Sequence, residues 1–275
     1  MQFATSRSKR AMKFAVAALT LGWLVLTAGA SLAQVGTGGP PGIDHYLVYP
    51  VLNPPRIFVP IITSDQFLHN VTQQALSLDY FMTPVNKNFE GVIDDITHYT
   101  WWRVNPVPFG ATVLITNQFG DMGAQVLGPR YLLNPAFKSI PPQQPPPPTV
   151  PLPFKNHYLA YDAISDPFFK NVTLVDQFWS YKGYVDFLRY LAPPVEKIFQ
   201  GQIFQILDPI AHLAVYDFHQ LPPMVPPPGP VFVRDEFGIW QLNLGQPIWL
   251  CVPSFKTGVV GTNATSWGKL KTLYR

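Results

Sequence analysis

Cysteine is almost missing from this chain of 275 residues: Cys251 stands alone. No internal disulfide can form, so stability has to come from burial rather than from covalent ties. A small buried residue is the reading for Cys251, in preference to a reactive thiol. Charge is scarce as well, at 13% of residues, against roughly 25% in an average chain. The net charge of +3 comes from the first thirteen residues, where Arg7, Lys9, Arg10 and Lys13 have no acid among them. Without those four, 15 basic face 16 acidic residues. A basic face for nucleic acid is therefore excluded. There is no Gly-x-Ser-x-Gly elbow and no glycine loop to cradle phosphate. After residue 33 no apolar run is long enough to span a bilayer.

The N-terminus has the layout of a secretory signal. The basic residues precede an apolar run from Phe14 to Leu26, and small residues lead to Ser31-Leu32-Ala33, a cleavage site before Gln34. Retention of the same run as an anchor is the alternative. Residues 34–42 are a flexible lead.

Proline (31 residues) and aromatics (14%) are plentiful, and much of their distribution follows a fourfold internal repeat. A first box begins at His45, His98, His157 and His212, with an aromatic four residues on: Tyr49, Trp102, Tyr161 and Tyr216. A second box reads Asp65-Gln66-Phe67, Asn117-Gln118-Phe119, Asp176-Gln177-Phe178 and Asp235-Glu236-Phe237. A third is Pro-x-x-Lys, ending at Lys87, Lys138, Lys197 and Lys256. Gly120 and Gly238 close the second box in copies two and four only, and Pro129 and Pro247 mark the same copies. The joints Asp94-Asp95-Ile96-Thr97-His98 and Asp208-Pro209-Ile210-Ala211-His212 also match. The order is a two-repeat module used twice.

Alternation makes each box a strand or a strand end. Val172, Leu174, Asp176 and Phe178 share one parity, so the second strand ends in an inward Asx that accepts backbone N–H groups in a turn. Pro-x-x-Lys should terminate the third strand, and Pro129 and Pro247 imply an edge or a bulge there. The fold expected is all-β: two antiparallel sandwich or barrel modules, 43–140 (repeats 43–89 and 94–140) and 154–258 (repeats 154–199 and 208–258). A polyproline spacer, 141–153, separates them, and a basic tail, 259–275, follows. A four-bladed propeller is the alternative.

The boxes resemble those of uncharacterised exported bacterial repeat proteins, whose copies read roughly His-x-x-Cys-Tyr, Thr-Val-x-x-x-Asp-Gln-Phe-Gly and Leu-Cys-x-Pro-x-x-Lys. The likeness covers about 43–258. Here Val48, Trp101, Ala160 and Val215 take the first cysteine position, and Met82, Leu133 and Ala192 the second, leaving Cys251. Strand-tying disulfides implied by the resemblance are lost to apolar residues. It implies no known activity.

Candidate chemistry is thin. Four equivalent histidines suggest a metal ring if the copies converge. The preferred reading is that each imidazole bonds backbone or an Asx within its own module, because two modules would split the four into pairs. Asp94-Asp95 and Asp235-Glu236 are sequence neighbours, a poor geometry for paired acid–base work. Trp101, Trp102, Trp179 and Trp240 form a candidate aromatic surface for sugar or protein. No cofactor, catalytic or metal residue is assigned. The function expected is an exported, non-catalytic structural or binding protein of the cell envelope or extracellular space. Polysaccharide or an envelope protein is the candidate partner, with no membrane contact after signal cleavage. A carbohydrate- or surface-binding module and a secreted hydrolase are the alternatives.

Overall fold

The computed structural model describes residues 40, 42–141 and 155–261. The expected signal segment, most of the lead, nearly all of the Pro-rich spacer and residues 262–275 of the tail lie outside the described residues. Within them every regular element is a strand. Repeat one supplies β1 (His45–Leu52), β2 (Arg56–Ser64) and β3 (Val71–Lys87). Repeat two supplies β4 (His98–Val104), β5 (Ala111–Asn117) and β6 (Gly120–Ser139). Repeat three supplies β7 (His157–Ser165), β8 (Lys170–Val175), β9 (Ser180–Ala192) and β10 (Pro194–Phe199), with β11 (Gln202–Phe204) paired to β10. Repeat four supplies β12 (His212–Gln220), β13 (Val231–Asp235), β14 (Gly238–Leu244) and β15 (Trp249–Gly261).

The first and third strands of the four repeats pair in a closed circuit. Antiparallel ladders run β1–β3, β3–β4, β4–β6, β6–β7, β7–β9, β9–β12, β12–β15 and β15–β1. A sheet that closes on itself leaves no edge along the circuit. The expected division into two modules is therefore not how the strands pair. The ladders β6–β7 and β15–β1 join the halves just as β3–β4 and β9–β12 join repeats within each half, and the described residues belong to one compact unit. The propeller is not found either, because its blades would not share ladders.

Alternation along each ring strand sends side chains to two faces, and both are buried. One face gathers Tyr46, Val48, Met82, Tyr99, Trp101, Leu133, Tyr158, Ala160, Ala192, Leu213, Val215, Trp249 and Cys251 into a single cluster, the inside of the ring. Tyr80, Tyr131, Tyr190 and Trp249, one from each repeat, follow one another with ring centroids 5.4, 5.7, 5.0 and 4.4 Å apart and seal one mouth. Trp101 packs against all four at 5.7–6.1 Å. Its bulk is matched by Ala160 and Ala192, the small residues that repeat three contributes to the same interior. All eight positions that are cysteine in the resembled repeats lie on this inner face. Val48 faces Met82, Trp101 faces Leu133, and Val215 faces Cys251 across their ladders. Burial pushes the Cys251 thiol well above its ordinary pKa, and its Sγ lies 3.8 Å from Met82 Sδ. Each buried aromatic removes about 150–250 Å² from water, worth about 4–6 kcal/mol at 25 cal/mol/Å².

The other face is covered by the second strands, which reach beyond their own repeats. β2 pairs with β3 and also with β10; β5 with β6 and β15; β8 with β9 and β3; β13 with β14 and β6. In each case the outside partner is the third strand two repeats away. The Pro-x-x-Lys box marks this handover. Pro84 still faces Tyr46 of β1, whereas Asn86 and Lys87 face β8; Pro135 faces Tyr99, whereas Phe137 to Ser139 face β13. The box prolines thus do not end the third strands; in repeat three β9 stops at Ala192 and the box proline Pro194 opens β10. Pro129 sits in the expected bulge, between register shifts of β6 on β7. The tail's first residues continue β15 against β5 as far as Gly261.

This interlocking has a direct consequence. Chains cut within the Pro-rich spacer should give two halves that each lack cooperative thermal unfolding alone and regain it on mixing, measured by near-ultraviolet circular dichroism. A half that melts cooperatively by itself would show that the two-module organisation suffices.

Candidate functional site

The recurring box residues meet at four equivalent junctions. Each second box is a turn at the tip of an arm. Its Asx Oδ1 accepts backbone N–H groups just downstream: Phe67 and Leu68 on Asp65, Phe119 on Asn117, Phe178 and Trp179 on Asp176, Phe237 and Gly238 on Asp235, at 2.7–3.2 Å. Gly120 and Gly238 hold φ of +113° and +152° where two of these turns close, a conformation that favours glycine. The other Asx atom reaches the box-one aromatic two repeats away. Tyr161 Oη donates to Asp65 at 2.8 Å, Asn117 Nδ2 donates to Tyr216 Oη at 2.7 Å, Tyr49 Oη donates to Asp176, and Trp102 Nε1 donates to Asp235 at 2.6 Å.

The middle residue of each tip meets the histidine of the preceding repeat. Gln66 pairs with His212 at 2.5 Å, Gln118 with His45, Gln177 with His98 at 3.1 Å and Glu236 with His157 at 3.0 Å. The tip phenylalanine lies under the lysine of that same repeat: Lys256 over Phe67, Lys87 over Phe119, Lys138 over Phe178 and Lys197 over Phe237, at 5.0–5.9 Å. Each box thus has one half of its contact in another repeat.

Two of the four imidazoles cross the expected module boundary, His98 to Gln177 and His212 to Gln66, whereas His45 and His157 meet Gln118 and Glu236 within one module. His98 and His212 do donate Nδ1–H to the backbone, to Ile96 and Ile210 oxygens at 2.7 and 2.9 Å. That tautomer leaves Nε2 to accept from a glutamine amide across the proposed boundary. The partner is glutamine or glutamate rather than Asx. His157 differs because a carboxylate needs a donor from Nε2, and Lys197 shares Glu236 with it. Burial holds His45 and His98 down to about 3 and His212 to about 4, and Lys197 well below its ordinary value.

The four tryptophans do not form one surface. Trp101 and Trp102 are fully buried, on opposite faces of β4. Trp102 packs on Phe237 and Trp240 at 5.4 and 5.5 Å. Trp179 is 41% exposed, just beyond a tip turn. Both faces of the ring strand are covered, so both members of the Trp101-Trp102 pair are interior.

Polar groups gather at the two mouths of the ring. At the aromatic mouth, Arg103–Asp79, Arg130–Asp162 and Arg189–Asp217 form half-exposed ion pairs at 2.5–2.6 Å, each worth at most about 1 kcal/mol. Asp186, Asp217 and His219 bring ligand atoms within 4.8 Å of one another. Arg189 and Trp249 Nε1 already occupy the two oxygens of Asp217, and His219 pairs with Asp186, so this group is a satisfied polar network.

The histidine mouth holds a cleft of about 160 Å³. Tyr46, Tyr99 and Tyr158 line it, with Ile43, Asp44, Lys155, Asn156, Leu207 and Asp208 among the surrounding residues. The two joints border it through matching caps. Asp44 accepts the N–H groups of Ile93 and Asp94 at 2.6 and 2.9 Å, and Asn156 accepts those of Leu207 and Asp208 at 2.8 and 3.2 Å. Burial raises the Asp44 carboxyl, against these bonds. Lys155 pairs with Asp94 at 2.6 Å. Burial works to raise Asp94, but the Lys155 ammonium, the Thr97 hydroxyl and backbone N–H groups hold it well below the usual range. Beside the cleft the joints leave Ile93, Ile96, Leu207 and Ile210 between 52% and 69% exposed. Sequence reading recorded the joint pattern but had no sign that both joints border one opening.

Two outcomes follow from the junctions. Asp176→Ala removes a turn acceptor and a partner of the buried Tyr49 hydroxyl, so it should cost about 2–4 kcal/mol in denaturant unfolding. Asp176→Asn, which Asn117 already represents in repeat two, should cost much less. Neutral buried histidines make the unfolded state the better proton acceptor from about pH 6.5 down to about 4. Stability should therefore fall as pH drops through that window, opposed at its acid end by Asp65 and Asp176, whose carboxyls burial raises. Melting temperatures at pH 7 and pH 5 check the sign.

Comparison of the chain with protein-family models, with curated proteins and with solved structures finds no match, so this geometry carries the functional reading by itself.

Proposed function

We propose that this chain is an exported, non-catalytic binding or structural protein of the cell envelope or extracellular space, built as a disulfide-free scaffold. The observation that supports it most is the use made of the recurring residues. Histidine, Asx, glutamine, phenylalanine and lysine of the boxes, the groups from which a site would be drawn, serve to lock one repeat onto another. The joints and the cleft beside them are among the segments that face solvent, which suits presentation of a binding surface on a rigid frame. The basic-then-apolar N-terminus supports export. We further propose that the chain is a cysteine-poor relative of the exported repeat proteins it resembles. Large-and-small apolar packing stands in the ring interior where that pattern has cysteine.

Two measurements test the proposal. A reporter that functions only outside the cytoplasm, fused after residue 40, should be active; an inactive fusion would count against export. The purified protein should leave a panel of ester, glycoside and peptide substrates unchanged. Hydrolysis that survives repurification and depends on a residue of the cleft would replace this reading with the enzyme alternative.

A further inference from the structure

The two halves of the histidine mouth are related residue by residue, and their charges differ at the caps: Asp44 stands against Asn156, and Lys155 against Ile43. Asp44 corresponds to Asn156, Ile93 to Leu207, Asp94 to Asp208, and Ile96 to Ile210, with the same backbone N–H groups capped in each half. In one half the residue before the cap is Lys155, and its ammonium sits on Asp94 Oδ2 at 2.6 Å. In the other half the corresponding residue is Ile43, which has no charge to offer Asp208. Asp208 Oδ1 accepts the Ile210 N–H at 3.1 Å. Among the described residues no cation lies within ion-pair distance of its carboxylate. Ile43, Leu207, Asp208 and Ala211 line the cleft, with Asp44, Lys155 and Asn156 of the caps and the three tyrosines completing it.

We propose that the cleft is an ammonium site. It takes a primary amine on an apolar stem, with Asp208 as counter-ion, Ile43 and Leu207 against the stem, and the rings of Tyr46, Tyr99 and Tyr158 beneath. The ligand supplies what Lys155 supplies to Asp94 in the other half. A carboxylate favours a cation over a neutral isostere. A lysine side chain of a polypeptide and a free alkylamine share this chemistry. The inference gives the binding reading a ligand class and rests on that reading only for its biological role.

Calorimetric titration of the purified exported protein with n-butylammonium, with Nα-acetyl-lysine amide and with n-butanol tests it. Saturable binding of both amines with no binding of butanol is expected, weakened at least tenfold by Asp208→Asn, which keeps the Ile210 cap. Ile43→Lys should restore the symmetry: it should raise the melting temperature and abolish amine binding. An unchanged affinity in Asp208→Asn, equal binding of butanol, or amine binding that persists in Ile43→Lys would overturn the proposal. Ile43→Lys leaves Asp208 intact, so the test stands even if Asp208→Asn fails to fold. Tighter binding of the lysine amide than of butylammonium assigns the site to polypeptide, and the reverse to small amines; either sustains it. Hydrolysis with amine binding intact would remove the functional reading and leave the site.

Discussion

The Asx turn at each arm tip, clasped by two other repeats, is the contact on which the rest depends. One oxygen shapes the turn, and the remaining atom fixes an aromatic side chain two repeats away. The same tip presents glutamine or glutamate to a histidine and a phenylalanine face to a lysine. A turn that satisfies itself locally would need no partner. This one leaves an acceptor or donor that only a distant repeat can satisfy, and an unpaired buried polar group costs about 1–3 kcal/mol. Four such obligations arranged in a circuit make the ring close.

Closure in turn explains the composition. With arms covering the outer face and side chains filling the inner one, both parities of the ring strands must be apolar or hydrogen-bonded. Leu47, Phe81, Leu132 and Leu191 pack outward while Tyr46, Met82, Leu133 and Ala192 pack inward. Few positions remain for charge. The junction where Glu236 is shared by His157 and Lys197 places a carboxylate where the other three tips have the neutral amide of Gln66, Gln118 or Gln177. A buried pair of this kind recovers in attraction roughly what it loses in hydration. Its contribution is therefore to geometry more than to stability.

The interior also accounts for the lone thiol. The interior combines large and small side chains, with Tyr131 opposite Ala160 and Leu213 opposite Ala192 across their ladders. Close packing of this sort takes over the role of crosslinks only where the volumes complement one another. The two joints, by contrast, have no such duty, and there the two halves diverge: Lys155 against Ile43, Thr97 against Ala211.

Read from residues alone, the chain already revealed its β class, its four copies and the Asx turns, and left Pro129 as an edge or a bulge, of which the ladder of β6 on β7 shows the bulge. These follow from period, spacing and local backbone chemistry, which act over a few residues. The module boundary, the mates of the histidines and the burial of Trp101 and Trp102 were not legible. A box such as Asp-Gln-Phe states that it needs an aromatic, an imidazole and a cation, but not which repeat provides them. With four nearly identical copies, every partner is chemically equivalent in sequence. Only the circuit of strand pairing decides that a tip passes over its neighbour to the second and third repeats ahead, because closing the ring inside the arms satisfies all four tips together.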